Sequence, residues 1–222
     1  MCGRFTLTVD PADLQDAFPE FIFPNKVTPR FNIAPTQPVL VMPNNATNTA
    51  DYFVWGLIPS WIKDPAIGSR LINARSETLA DKPSFRSAYK YHRCLIFSDG
   101  FFEWQTQPNN KTKVPYLIRL KSGQPYAFAG LWEHWQSPDG SEINSAAIIT
   151  TSPNELMASI HNRMPVILPV DAYAKWLDPA PRFPDDLNSL LVPYPAEEML
   201  AYPVSTLVNS PANDRPEVVV PA

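Results

Sequence analysis

The chain has 222 residues, of which 45% are hydrophobic and 18% charged, with a formal net charge of −4. That composition describes a soluble globular protein. It excludes a helical membrane span, which needs an apolar run of about 18 residues or more, and an extended non-specific grip on nucleic acid, which needs many basic contacts to phosphates. Twenty-six prolines against seven glycines cut the chain into many short elements. In chain order, apolar periodicity predicts a helix over 11–18, strands over 38–42 and 51–57, a helix around 85–91, and strands over 94–104, 116–120, 126–132 and 145–151. A helix over 153–160 is expected to start with Ser152 as cap, Pro153 in the first helical position and Glu155 reaching back as a capping box, and to end near His161. A strand over 164–168 and helices over 171–177 and 184–191 follow. The tail from Asn209 onward, rich in proline, is expected to lie extended over the body or to fray.

Strands outnumber helices and rarely alternate with them. The class is therefore α+β: a single domain over 1–222, with a mixed or antiparallel barrel-like sheet and peripheral helices. The tracts at 44–48 and 108–111 read as hairpin or surface loops. The first twenty residues carry Arg4, Asp10, Asp13, Asp16 and Glu20, so they lack the basic flank and apolar stretch of a signal peptide, and a cytosolic protein is expected. Cys2 and Cys94 are expected to be free thiols. Two cysteines and three histidines give no zinc-ligand spacing, and neither a metal nor a cofactor is expected.

Cysteine at position 2 stands out. Loss of Met1 would place an α-amine and a thiol on adjacent carbons of one residue. Such a 1,2-aminothiol condenses with an aldehyde through its amine and then closes a five-membered ring through sulfur. An α-amine titrates at about 7.7 to 8.0 and a cysteine at about 8.5, so both have a usable nucleophilic fraction near neutrality.

Other polar groups are set among large apolar ones, where an unpaired polar group costs on the order of 1 to 3 kcal/mol. Glu103 lies among Phe101, Phe102 and Trp104. Strand alternation places it opposite Phe102 and Trp104, and a carboxylate there is either a proton carrier with a raised pKa or one half of a structural ion pair. His161 lies between the predicted helix and the apolar segment 164–168, suited either to moving protons or to a structural bond. Asn73 and Arg75 share a face if extended. Arg4, Arg75, Arg93 and Arg163 can form a local positive cleft on an acidic body if they converge. Of the aromatic residues, Phe31, Trp55, Trp61, Phe101, Phe102 and Trp104 are either core or stacking platforms for unpaired bases.

These motifs, taken together and in order, resemble the SRAP family, the SOS-response-associated peptidases, also described as abasic-site processing proteins. The resemblance starts at Met1-Cys2-Gly3-Arg4-Phe5 and continues through Phe31-Asn32-Ile33-Ala34-Pro35-Thr36 and Trp55-Gly56-Leu57-Ile58-Pro59-Ser60-Trp61. Next come Ile72-Asn73-Ala74-Arg75-Ser76-Glu77-Thr78, Arg93-Cys94-Leu95-Ile96, and Asp99-Gly100-Phe101-Phe102-Glu103-Trp104. The last matches are Ile160-His161-Asn162-Arg163-Met164-Pro165 and Pro203-Val204-Ser205 with Val208-Asn209. It implies a protein that captures abasic sites in single-stranded DNA covalently: Met1 is removed, and Cys2 forms a thiazolidine with the open-chain sugar aldehyde. By motif position, Glu103 and His161 would move protons, and Asn73 would hold the N-terminal residue or the opened sugar. Arg4, Arg75 and Arg163 would bind phosphates. Pro35, Trp55 and Trp61 would guide or bend the strand.

The resemblance further implies modest crosslink-reversal or strand-lyase activity, self-removal of Met1, a monomer, and association with the nucleoid during DNA damage. Two departures from the family's pattern stand out. Ile62 occupies a position where many members carry a second aromatic, which implies weaker stacking at that edge. Phe97 and Ser98 stand where proline and alanine are common, which implies altered packing. Two other functions suit the same residues: a thiol peptidase with Cys2 as nucleophile and His161 as base, and a non-covalent reader of modified bases.

Overall fold

The computed structural model describes residues 2–107 and 112–222. Met1, and the surface loop expected at 108–111, lie outside the described residues. Among the described residues, thirteen strands form two sheets: β1 Phe5–Leu7, β2 Arg30–Ile33, β3 Pro38–Pro43, β4 Asp51–Trp55, β5 Asn73–Arg75, β6 Arg93–Ser98, β7 Gly100–Thr106, β8 Lys113–Leu120, β9 Tyr126–Gln136, β10 Glu142–Thr151, β11 Met164–Pro165, β12 Ile167–Leu168 and β13 Met199–Pro203. The helices are short: α1 Pro11–Ala17, α2 Arg86–Tyr91, α3 Glu155–Ala158, α4 Tyr173–Trp176 and α5 Pro184–Leu187.

In the larger sheet, β10, β4, β3, β6 and β9 are consecutive neighbours, and β9 pairs back onto β10. That closes a five-strand ring and bears out the expected α+β, barrel-like architecture. The pairings in the ring are antiparallel except where β10 runs parallel to β4, and β10 also runs parallel to β5. The smaller sheet has the order β13-β8-β7-β1-β2 and is antiparallel throughout. Side chains from both sheets enter one apolar cluster. Phe5 of β1 sits edge-on to Trp55 of β4 at 5.0 Å and to Phe128 of β9 at 5.7 Å, a favoured arrangement for buried rings.

Several local expectations are corrected. The strand predicted over 94–104 is two strands in different sheets, broken at Asp99. Its carboxylate accepts from the Thr6 hydroxyl at 2.5 Å and the Thr8 amide at 3.0 Å, which pulls the chain out of the ring and onto β1. The strand over 164–168 is divided between β10 and β9, with Val166 bonded to each in turn. The helix predicted over 153–160 starts at Glu155, because Asn154, not Ser152, is the cap: its Oδ1 accepts from the Met157 amide at 2.9 Å. Met157 O then accepts from the amides of Ile160 and His161, so the turn continues past Ala158 to the histidine.

The tail lies over the body, as one of the two expectations has it, but in turns that include a 3-10 turn over Pro216–Val218 and not as an extended strand. Phe102 and Leu117 on the outer face of the smaller sheet pack with Val204, Val208 and Val218, forming a second apolar cluster. Polar bonds fasten it: Asp214 accepts from the amides of Phe31 at 2.5 Å and Asn32 at 3.0 Å and pairs with Arg30, while Asn32 Nδ2 donates to the carbonyls of Val208, Ser210 and Asn213. Among the described residues, no helix is long and apolar enough to cross a membrane.

Candidate active site

Residue 2 is placed by β1, which is held between β2 and β7. The ladder reaches the Phe102 amide, which donates to Arg4 O at 2.9 Å, so Glu103 on β7 comes next to the segment carrying Cys2. Alternation on β7 works as expected: Phe101 enters the main core, Phe102 and Trp104 pack with the tail, and Glu103 lies on the inner side, 2% exposed.

Three further contacts assemble the site. Asn73, at the start of β5, donates from Nδ2 to the Cys2 carbonyl at 2.8 Å. Its Oδ1 is buried and has no hydrogen-bond partner among the described residues. His161 follows α3 and brings Nδ1 to 3.9 Å from Glu103 Oε1. The same nitrogen lies 3.1 Å from the Arg163 amide and 3.2 Å from the Arg163 carbonyl. A groove of 340 Å³ lined by Trp104, Gln105, Lys113, Ser159, His161 and Asn162 opens on the His161 side of the site. The larger cavities lie elsewhere; one, lined by Leu7, Val39 and Tyr52, touches none of these groups.

The electrostatics follow from burial. Cys2 is fully buried, and loss of water pushes its thiol up, with the charge of Glu103 adding to the shift. Burial also raises the Glu103 carboxyl, an effect offset in part by His161. At neutral pH the thiol therefore keeps its proton, and it would have to pass that proton to a base in order to act as a nucleophile. Glu103 is a carboxylate made more basic by its surroundings, and it stands beside a histidine.

Cys2, Asn73, Glu103 and His161 are thus brought together from four separate segments. The remaining predicted residues fare differently. Arg75, two positions beyond Asn73, is exposed, and its guanidinium has no ion pair or hydrogen bond among the described residues. Arg4 is half-buried and committed to the tail, donating to Asn32 Oδ1 at 2.9 Å, Val208 O at 2.7 Å and Asn209 O at 3.2 Å. Arg163 is paired with Glu77. Arg93 does not join the cleft: it is fully buried and donates to carbonyls of Tyr89, Lys90, Trp176, Asp178 and Ala180.

Trp55 is a correction. It is fully buried, its indole N–H donates to Ile72 O at 3.0 Å, and its ring packs on Phe5, so it has no face for a base to stack on. Its effect on the site is indirect, because Ile72 immediately precedes Asn73. Two loops hang from it. The Thr36 amide donates to Trp55 O at 2.9 Å and fixes the turn that presents half-buried Pro35. On the other side, Gly56 leads toward Trp61, which is 62% exposed. At Gly56 φ is +133° and a Cβ would fall 2.4 Å from Gly68 O, so only glycine fits there.

Glu77, Asn32, Asp99 and Asp214 organise these segments, and no role is legible for them in the sequence. Glu77, Asn32 and Asp99 fall inside the motifs that carry the resemblance, yet their partners are remote in the chain.

The chain matches the model of the SOS response associated peptidase (SRAP) family over residues 1–211. It is 48% identical to the abasic site processing protein YoqW of Bacillus subtilis (strain 168), with 99% of each chain covered. It is 32% identical to the abasic site processing protein HMCES of Gallus gallus, with all of this chain and 78% of that protein covered. A crystal structure of a protein from Bacteroides thetaiotaomicron superposes with a TM-score of 0.87 at 28% identity, covering both chains in full. The chain belongs to the SRAP family.

Proposed function

We propose that this protein processes abasic sites in DNA and that, once Met1 has been removed, Cys2 captures the ring-opened sugar of an abasic site in a single strand as a thiazolidine. The observation that carries this reading is the cluster around residue 2: Asn73 holds its carbonyl at 2.8 Å, and the buried Glu103 lies next to it with His161 at 3.9 Å. The relatives named for abasic-site processing support the substrate class.

The chemistry balances without an oxidant or a metal. The Cys2 amine adds to the aldehyde carbon, and the resulting carbinolamine loses its hydroxyl as water when a neighbouring acid supplies a proton. The thiol sulfur then bonds to the imine carbon, its proton ends on the ring nitrogen, and the five-membered ring closes. Glu103, kept basic by burial, takes a proton from one partner and returns it to another, His161 relays it, and Asn73 fixes the residue while the amine attacks. Arg75 supplies the exposed cationic contact to a backbone phosphate, Arg4 and Arg163 add charge from their tethered positions, and Pro35 and Trp61 steer the strand. A single strand is favoured because its abasic nucleotide reaches a small site without unpairing. The imine also permits elimination of the 3′ phosphate, so a weak strand-lyase activity accompanies capture.

Intact mass after incubation with an abasic oligonucleotide tests the reading. The expected adduct is protein plus oligonucleotide minus one water, stable to denaturation without a reductant and mapped to Cys2. Cys2→Ala keeps the amine and should give no stable adduct. An equal yield from Cys2→Ala would overturn the proposal, and Cys2-dependent turnover of peptides with no DNA adduct would favour the peptidase reading.

A further inference from the structure

The turn that carries His161 meets the strand that carries Glu103 at a second contact, one step away from the chemistry. Gln105 donates from Nε2 to the carbonyl of Ser159 at 2.8 Å. Gln105 stands two positions beyond Glu103 on β7, so strand alternation puts both side chains on one face. Ser159 stands two positions before His161. Glu103–His161 and Gln105–Ser159 are thus neighbouring rungs between one strand and one turn, the first 3.9 Å long and the second 2.8 Å. The Gln105 amide is itself oriented. Its Oε1 accepts from Gln107 Nε2 at 2.8 Å, which leaves its own Nε2 to face the carbonyl.

The second rung has a mechanical reason. α3 is a single turn of four residues, too short to hold its own C-terminal end, and a helix end leaves carbonyls without intrahelical partners. Its start is fastened by Asn154, which caps Met157 and donates from Nδ2 to Tyr194 O at 2.7 Å. At the far end Gln105 takes the Ser159 carbonyl and ties the turn to β7, which lies between β1 and β8. His161 Nδ1 stands 3.9 Å from Glu103 Oε1, beyond the roughly 2.6–3.2 Å over which a proton passes directly, so the pair must close by about 1 Å in the reacting complex. A tie two residues from the imidazole governs that closure. The bond itself is solvent-exposed, so its share in folding stability is small.

We infer that Gln105 is a positioning residue for lesion capture: by holding the Ser159 carbonyl it keeps His161 within reach of Glu103. The inference rests on the capture reaction proposed above. Gln105 exchanges no proton and acts through the histidine. Because it also lines the groove on the His161 side, the rival reading is a direct contact with the DNA strand. The two differ in which step they govern.

The test separates them. Affinity is measured by fluorescence anisotropy on a single strand carrying an unreactive tetrahydrofuran abasic analogue, and the rate by single-turnover adduct formation on the reactive strand at saturating protein. Gln105→Met keeps the length of the side chain and removes the donor. Its saturated rate should fall about tenfold, part of the roughly 10²-fold that a 1 Å misplacement can cost. Affinity should equal that of the wild type, and the melting temperature should stay within about 2 °C of it. Placed in a His161→Ala background, the same substitution should change nothing, because the group it positions is gone. A saturated rate equal to wild type in Gln105→Met overturns the inference, as does weaker binding with the rate kept, which would mark a strand contact. A tenfold slowing that persists without His161, or that comes with a large fall in melting temperature, overturns it too. If the wild type forms no adduct, the proposed function fails and this inference with it. Capture by the wild type with Gln105→Met indifferent in both readouts sinks the inference alone.

Discussion

At residue 2, burial and a neighbouring carboxylate act in the same sense on sulfur, while at Glu103 burial opposes ionisation of the carboxyl itself. A carboxyl whose pKa is higher folded than unfolded keeps a proton that the unfolded chain has released, between the unfolded value of about 4.3 and the native one. Stability therefore falls as pH rises through that window, and above it the cost is carried in full. Glu103→Gln should remove the cost and raise the melting temperature at pH 7 by roughly 2–4 °C, the shift that about 1 kcal/mol makes in a chain of this size. The gain should shrink toward pH 4, and capture should slow at every pH. His161→Ala should also slow capture, by about 10²-fold, with affinity for an unreactive abasic strand unchanged. Rates equal to wild type in both variants would remove the pair from the mechanism. Glu103 and His161 are legible in the sequence because each is a polar side chain embedded in an apolar run. The strand-guiding role expected of Trp55 is corrected by the fold: the motif identifies Trp55, but an indole looks the same in a sequence whether it stacks on a base or, as here, donates to Ile72 O from the core.

Among elements, those with unbroken apolar, β-branched or aromatic runs, such as β3, β9 and β10, are found close to where the sequence predicts them. Breaks within elements are less visible, because they depend on long-range hydrogen bonds. Asp99 interrupts an apolar run only because Thr6 and Thr8 are there to bond it, and α3 starts late because Asn154 outcompetes Ser152 as a cap. β2 and the tail are a second case. Arg30–Ile33 is too short to stand out, and its edge is finished by Asp214, 183 positions from the Phe31 amide it accepts. Asp214→Ala leaves two backbone donors without their acceptor and should destabilise the fold by about 2 kcal/mol, read from the urea midpoint at constant slope. A change below about 0.5 kcal/mol would mean that the tail is held by its apolar contacts alone.

For the whole molecule, composition places the chain in a class and stops there. The net charge of −4 is a sum, and it hides the exposed Arg75 two positions beyond Asn73. Arg75→Ala should weaken binding to single strands and reduce the slope of log affinity against log salt by about 0.7, the contribution of one phosphate contact, without altering the rate at saturation. An unchanged slope would place the DNA backbone elsewhere. The closed ring of β3, β4, β6, β9 and β10 is not visible in any local pattern, since closure depends on β10 pairing on both sides.

The outer cover of the smaller sheet is made by residues beyond 203, and Arg4 hooks two of its carbonyls. A protease that trims this cover strikes the anchor of residue 4 well before it meets the ring. Under the proposed capture reaction, clearance of a crosslinked copy would begin at the cover that anchors Arg4, two residues from Cys2, with the strand pairings of the ring intact.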